Sequence, residues 1–209
     1  GVAIFLKNWM KKGRLPDAVV IEHPRYARGH LGSARIEDIS DPKFDFNRVL
    51  PKIFDIFREL GLKEKEIPII VAGGFSSHEE IKSAITHLGA SAVQLGTAFA
   101  VTVEGDAHPT FKKVLANAII PDDIATFISA SGLPARAVKT PWLINYLKRE
   151  AALREKAKCG LQRCCATGLQ CLSMCGLRDS LAKFGQFCID SQLAAALRGD
   201  LAKGLFFRG

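Results

Sequence analysis

The chain has 209 residues, 48% of them hydrophobic and 24% charged, with a formal charge of +8. That length and apolar content suffice for one or two folded domains and argue against a disordered chain. No apolar run reaches the roughly 18 residues of a spanning helix, and Gly1-Val2-Ala3-Ile4-Phe5-Leu6 lacks the charged start and cleavage site of a signal peptide, so a soluble, cytoplasmic protein without membrane contact is expected.

In chain order, Val2, Phe5, Leu6, Trp9 and Met10 have helical spacing and predict a helix over 2–12 that stops at Gly13. Ala18-Val19-Val20-Ile21 reads as a short buried strand. Leu50, Ile53, Phe54, Phe57 and Leu60 share a face and predict a helix over 50–60, ended by Gly61. A second strand covers 67–71. A helix follows over 77–88, opened by a capping box of Ser77 and Glu80 and closed by Gly89. Ala92-Val93-Gln94-Leu95 is the third strand. This alternation is the pattern of βα units on a parallel sheet, an α/β fold.

After Gly96 the rhythm changes. Helices are predicted around 111–118 and 141–158, the latter with Thr140 as N-cap and Pro141 at the first helical position. The expected division is therefore a βα region over 1–104 and a mostly helical region over 105–209. Eight basic residues between Pro134 and Arg163 face only Glu150 and Glu155. They fit the solvated face of a helix, or the docking of an anionic substrate or carrier. No aromatic residues interleave with them as a nucleic-acid stacking surface requires, so no nucleic-acid partner is expected.

Each strand ends in residues suited to binding. Ile69-Ile70-Val71 leads into Ala72-Gly73-Gly74-Phe75-Ser76-Ser77, where two glycines let the backbone approach an anion and the helix start offers free N–H groups. One βα unit later, Gln94-Leu95 leads into Gly96-Thr97. In a (β/α)8 barrel the C-terminal strand ends carry the site, and the last two strands often bind phosphate. The first strand ends in Glu22-His23-Pro24-Arg25-Tyr26-Ala27-Arg28-Gly29-His30-Leu31-Gly32. Of its two histidines, His30 lies on a permissive glycine-flanked backbone and is the proton-transfer candidate. His23, before a proline, is expected to shape the loop.

These runs resemble the nitronate monooxygenase family, also called 2-nitropropane dioxygenases, and the related FMN-dependent enoyl-acyl-carrier-protein reductases II. The resemblance rests on Pro16 to Glu22 with Gly29-His30-Leu31-Gly32, on Ile67 to Gly74, on Gly89 to Phe99, on Ala107-His108-Pro109, on Gly132 to Ala137, and on Gly199-Asp200 with Gly204 to Phe207. It implies a partial (β/α)8 TIM barrel in which the three strands correspond to the sixth, seventh and eighth. It also implies an FMN cofactor, with Gly73, Gly74, Gly96 and Thr97 at its phosphate, Gln94 and Gly32 close by, and His30 as catalytic base. Arg28 departs from the glycine pair that usually precedes that histidine. The implied reaction is oxidation of a small nitronate or nitroalkane by oxygen; the alternative is enoyl reduction. Three strands cannot close a barrel, so a further alternative is an incomplete chain. That chain would need a partner to supply the missing strands, or would form a homo-oligomer.

Cys159, Cys164, Cys165, Cys171, Cys175 and Cys188 cluster late. They are numerous enough for zinc or an iron–sulfur cluster but lack the paired Cys-x2-Cys spacing of common zinc modules. Free thiols are the expectation, and no metal site is assigned.

Overall fold

The computed structural model describes residues 1–26, 29–30, 32–33, 35–63, 66–119, 121–129, 134–156 and 188–208. These fall into two compact units. The first holds residues 1–27 and 37–95, and the second holds residues 28–36 and 96–209.

In the first unit, helix α1 (Val2–Met10) precedes strand β1 (Val19–Glu22). The second unit takes up the chain for β2 (Gly29–His30). Back in the first unit, helix α2 (Phe46–Glu59) leads to β3 (Ile69–Ala72), α3 (His78–Thr86) and β4 (Ala92–Gln94). The three long-range strands β1, β3 and β4 form a parallel sheet in the order β1-β3-β4, as the βα alternation predicts. Val20 aligns with Ile70 and Ala92, and Glu22 aligns with Ala72 and Gln94.

Burial explains why these segments hold. Leu6 of α1, Leu50, Ile53 and Phe57 of α2, Ile69 and Val71 of β3 and Ala84 of α3 form one core with Ile67 and Ala90. The α2 residues repeat at three and four positions, which turns a single apolar stripe toward the sheet. The other strand face is open among the described residues: Val20 on the edge strand β1 is 49% exposed.

Helix α2 begins earlier than expected. It extends back to Phe46 with Asp45 at the N-cap, which places Pro51 inside it as the sixth helical residue. Pro51 lies past the first-turn amides that lack an intrahelical acceptor, so the helix forgoes the bond to the Asn47 carbonyl there and is held by the packing of its apolar face. The Ser77–Glu80 capping box of α3 forms as predicted.

The second unit contains α4 (Thr97–Ala100), α5 (Pro109–Asn117), β5 (Ile124–Ile128), β6 (Pro134–Val138), α6 (Pro141–Lys156) and α7 (Ile189–Leu197). Strands β5 and β6 form an antiparallel pair that the sequence reading did not expect, and β2 adds to its edge in the order β2-β6-β5. Phe127, Ala135, Ala137, Leu143 and Leu205 are fully buried beneath it. Leu115, Ala196 and Phe206 make a second cluster. Thr140 caps α6 as predicted, accepting from the Leu143 N–H at 3.4 Å. No helix among the described residues is long and apolar enough to cross a membrane.

Candidate functional site

The C-terminal ends of β1, β3 and β4 stand level, with Glu22, Ala72 and Gln94 in one row across the sheet. Partial burial pushes the Glu22 carboxyl above its usual range. Sequence reading placed Glu22 at the end of the first strand but gave it no role, and here it is the last residue of β1. Only the register shows that it shares a row with Gln94.

Beyond β3 the backbone turns through Gly73 at φ 101° and Gly74 at φ 85°. Both angles lie in the region that disfavours a side chain. Among the described residues, the N–H groups of Gly73, Gly74 and Phe75 have no hydrogen-bond acceptor. The helix start expected to share this role does not. Both Ser76 and Ser77 donate their amides to Glu80 Oε2, at 2.8 and 2.9 Å, because α3 closes its own capping box. Between β3 and α3, the donors left open among the described residues are therefore those of the glycine turn and not those of the helix start.

His23 closes the end of β1. Its amide donates to the Ala72 carbonyl at 3.0 Å, and its own carbonyl accepts from the Tyr26 N–H at 3.0 Å, closing a turn with Pro24 at the second position. Nδ1 accepts the Arg25 N–H at 3.1 Å, so the ring proton sits on Nε2, which donates to Asp45 Oδ1 at 3.2 Å. The residue is 5% exposed. Neither ring nitrogen offers a free lone pair to a substrate proton, and His23 cannot act as a general base in this arrangement. It shapes the loop, as expected.

Around His23 lie aromatic rings. Tyr26 is 4.9 Å away centroid to centroid, and Phe46 meets it edge-on at 5.3 Å. Phe46 also stacks on Phe75 at 5.8 Å. The Tyr26 ring lies against Gly74, where an added Cβ would come within 3.0 Å of Tyr26 Cγ. Gly74 is thus glycine for two reasons, its backbone angle and its aromatic neighbour.

The remaining site candidates belong to the second unit. His30 lies in β2 opposite Ala135, with Gly29 opposite Arg136, so a strand carries it rather than the loop expected from its glycines. Gly32 has φ 65° and open space around it. Gly96 is the N-cap of α4 at φ −118°, and no side chain caps that helix, whose first residue is Thr97. Arg28 and five of the six cysteines lie outside the described residues. Cys188 precedes α7 as a free thiol. Among the described residues no cluster of three or more potential ligands could hold a metal.

A cavity of about 500 Å³ lies at the opposite end of the same strands, bounded by Phe54, Phe57, Leu62, Ile67 and Ile69. It is a crevice beside α2 whose walls also include Arg58, Lys63, Gly89 and Ser91, and neither Gly73–Gly74 nor Gly96 is part of it.

A parallel sheet with helices between its strands makes this an α/β protein. Residues 3–204 match the family model described as nitronate monooxygenase, and the chain belongs to that family. A probable nitronate monooxygenase of Bacillus subtilis (strain 168) is 39% identical over 77 residues, which is 37% of this chain and 22% of that protein. The fold is similar to that of FabK from Thermotoga maritima, at a TM-score of 0.61 and 24% identity, covering 99% of this chain and 50% of that one. A methionine-to-alanine variant of FabK gives a TM-score of 0.55 at 24% identity, covering 99% of this chain and 48% of that one. The chain spans about half the length of the FabK structures.

Proposed function

We propose that the protein is part of an FMN-dependent oxidoreductase of the nitronate monooxygenase type, acting on small nitronates or nitroalkanes. The observation that carries this reading is the turn after β3, where the N–H groups of Gly73, Gly74 and Phe75 have no acceptor among the described residues, next to the strand end that Gln94 closes on β4. Such a run of donors suits the dianionic phosphate of a mononucleotide. Gly73 and Gly74 would hold that phosphate, and Gln94 and Glu22 stand at the level of the bound group. On the family resemblance alone, Gly96, Thr97 and Gly32 are further cofactor-binding candidates, and His30 is the candidate base for the proton on the carbon α to the nitro group. FMN, when bound, supplies the acceptor for the substrate's electrons and passes them to oxygen.

Two observations favour other readings. Likeness to FabK favours the enoyl-acyl-carrier-protein reductase alternative, in which a nicotinamide supplies the electrons. The open face of the β1-β3-β4 sheet, with Val20 half exposed, favours a chain that needs further strands before it can turn over substrate.

The deciding measurement is the visible spectrum of the purified chain after FMN addition, followed by oxygen uptake with a nitronate. A bound-flavin band with nitronate-dependent oxygen consumption is expected. NAD(P)H-dependent enoyl reduction without oxygen uptake would move the assignment to the reductase. A chain that takes up no FMN would overturn autonomous catalysis.

A further inference from the structure

We propose that His23 is a positioning residue for the anion-binding turn. Anchored by Asp45, it holds Tyr26 against Gly74, and so keeps the Gly73–Phe75 N–H groups in the conformation that receives a phosphate monoester. The inference rests on the FMN reading for the identity of the ligand, but its geometry is independent of that reading.

Four features of the first unit carry it. First, Asp45 stands at the N-cap of α2 but makes no side-chain cap. Its carboxylate accepts from His23 Nε2 instead. An N-cap aspartate ordinarily satisfies one of the helix's own amides, so this carboxylate serves the histidine rather than the helix it precedes.

Second, His23 has every polar group engaged: its amide with Ala72, its carbonyl with Tyr26, Nδ1 with Arg25 and Nε2 with Asp45. A nearly buried ring held at both nitrogens, on a backbone bonded through its N–H and its carbonyl, has one orientation, and that orientation is what a positioning residue needs.

Third, the ring's apolar contacts lead to the glycine turn along two paths. Tyr26 touches His23 and lies on Gly74. Phe46 touches His23 and stacks on Phe75. The two residues contacted, Gly74 and Phe75, are two of the three whose amides are open.

Fourth, Tyr26 is 43% exposed and the turn it covers has two successive positive φ angles. Glycine backbone is the most mobile in the chain, so an aromatic ring seated on it narrows the conformations it samples before a ligand arrives. Affinity gained by such preorganisation appears without any new ligand contact. The Arg25 guanidinium sits 5.7 Å from the Tyr26 ring centroid and adds a cation–π contact on the same ring.

The test uses the full chain and two readouts. The first is the 15N order parameter of the Gly74 and Phe75 amides without ligand. A rigid turn gives about 0.85, and His23→Asn or Tyr26→Ala is expected to lower it below about 0.6. His23→Asn keeps an acceptor for the Arg25 N–H but deletes the reach to Asp45. Tyr26→Ala alters a half-exposed side chain and keeps the test valid if His23→Asn fails to fold. At Gly74 the double variant is expected to be no looser than Tyr26→Ala alone, because His23 reaches that residue through the Tyr26 ring, whereas Phe75, reached through Phe46, is expected to loosen further. Asp45→Asn, which retains an acceptor oxygen, should stay near the parent value.

The second readout is FMN affinity by flavin fluorescence, expected to fall about tenfold in His23→Asn and Tyr26→Ala alike. Unchanged order parameters in His23→Asn, or additive loosening of Gly74 in the double variant, would overturn the proposal. So would a loosened turn that binds FMN as tightly as the parent. If the parent chain takes up no FMN, the functional reading falls and the order parameters alone decide the positioning role.

Discussion

The turn at Gly73–Gly74 in the first unit and the segment from Gly199 to Gly204 in the second both carry glycines at positions of the family resemblance, yet their backbones are used in opposite ways. Gly199 donates its N–H to Ala196 and Gly204 donates to Asp200. A Cβ on Gly199 would lie 2.9 Å from Thr110 Cβ and against the His108 ring, and one on Gly204 would lie 2.5 Å from the Asp200 carbonyl and 2.8 Å from Ala196 Cα. Everything near these glycines is protein, and their amides are already satisfied. Gly73 and Gly74 have amides without an acceptor among the described residues, and Gly74's neighbour is the edge of one half-exposed side chain. A motif glycine is therefore weak support for a ligand by itself. The donor beside it, engaged or open, tells the two uses apart.

The largest effect that could break this comparison is at Gly204. Two of its three nearest neighbours are backbone atoms that cannot swing aside and the third is the buried Phe206 ring, so Gly204→Ala should destabilise the second unit by about 3 kcal/mol or more, the upper range for overfilling a packed position. Thermal or urea unfolding measures it, and a loss under about 1 kcal/mol would mean that this segment is not held as tightly as its contacts require. Gly74→Ala is expected to be milder, about 1–3 kcal/mol, from the positive φ and the Tyr26 contact together. Tyr26→Ala in the same chain should restore part of that loss, leaving the backbone strain. At Gly204 truncating Phe206 would relieve one contact and leave the two with backbone, while emptying a fully buried position, so no net rescue is expected. Equal losses at the two glycines, with no rescue at Gly74, would remove the distinction between them.

Much of the first unit is legible in the sequence, because its signals are local. Apolar spacing gives α2 its buried face, Ser77 with Glu80 gives the start of α3, and the runs at 67–71 and 92–95 give strands of the parallel sheet. What the sequence misses depends on contacts between distant residues. Strand β2 is two residues long and exists because Gly29 and His30 pair with Arg136 and Ala135, more than a hundred positions away. No periodicity can show so short a strand. The β5–β6 pair has Ala125, Ala135 and Ala137 at inward or central positions, and alanine carries little strand preference. The glycine turn itself is readable, but the occupied state of the Ser76 and Ser77 amides is not. The same Ser77–Glu80 pair that marks a helix start also removes that start from the list of free anion donors. The role of His23 follows from its partner Asp45, which sequence spacing had left outside the helix that Asp45 precedes.

Glu80 offers a smaller effect that sharpens the comparison, since it separates the open donors from the engaged ones. The amides of Ser76 and Ser77 hold its carboxyl below the usual carboxylate range. A depressed folded value means the contribution to stability is complete above about pH 4.5 and is lost as pH falls through the folded value. Glu80→Gln should therefore lower stability at neutral pH by about 0.5–1 kcal/mol, the scale of a helix cap. The difference from the parent should close in acid. Melting curves at several pH values check this. A gap that persists unchanged at low pH would show that the carboxylate's charge is not what holds the cap.

The smallest expected effect is at Glu22, level with Gln94 across the sheet, and its sign is the reverse. Burial raises this carboxyl, so in the folded chain the ionised form is the disfavoured one. Ionised Glu22 then subtracts stability at neutral pH. The penalty fades as pH falls through the raised folded value, and it is gone below about 4.5, where the unfolded chain is protonated too. Glu22→Gln should leave the fold intact and raise stability at neutral pH by no more than about 0.5 kcal/mol, the usual span for a site that is largely in contact with solvent. The gain should disappear in acid, opposite in direction to the Glu80 series. A loss of stability at neutral pH on Glu22→Gln would show instead that the carboxylate is held by a favourable partner, and that the strand-end row beside the glycine turn is as fully engaged as the Gly199–Gly204 segment.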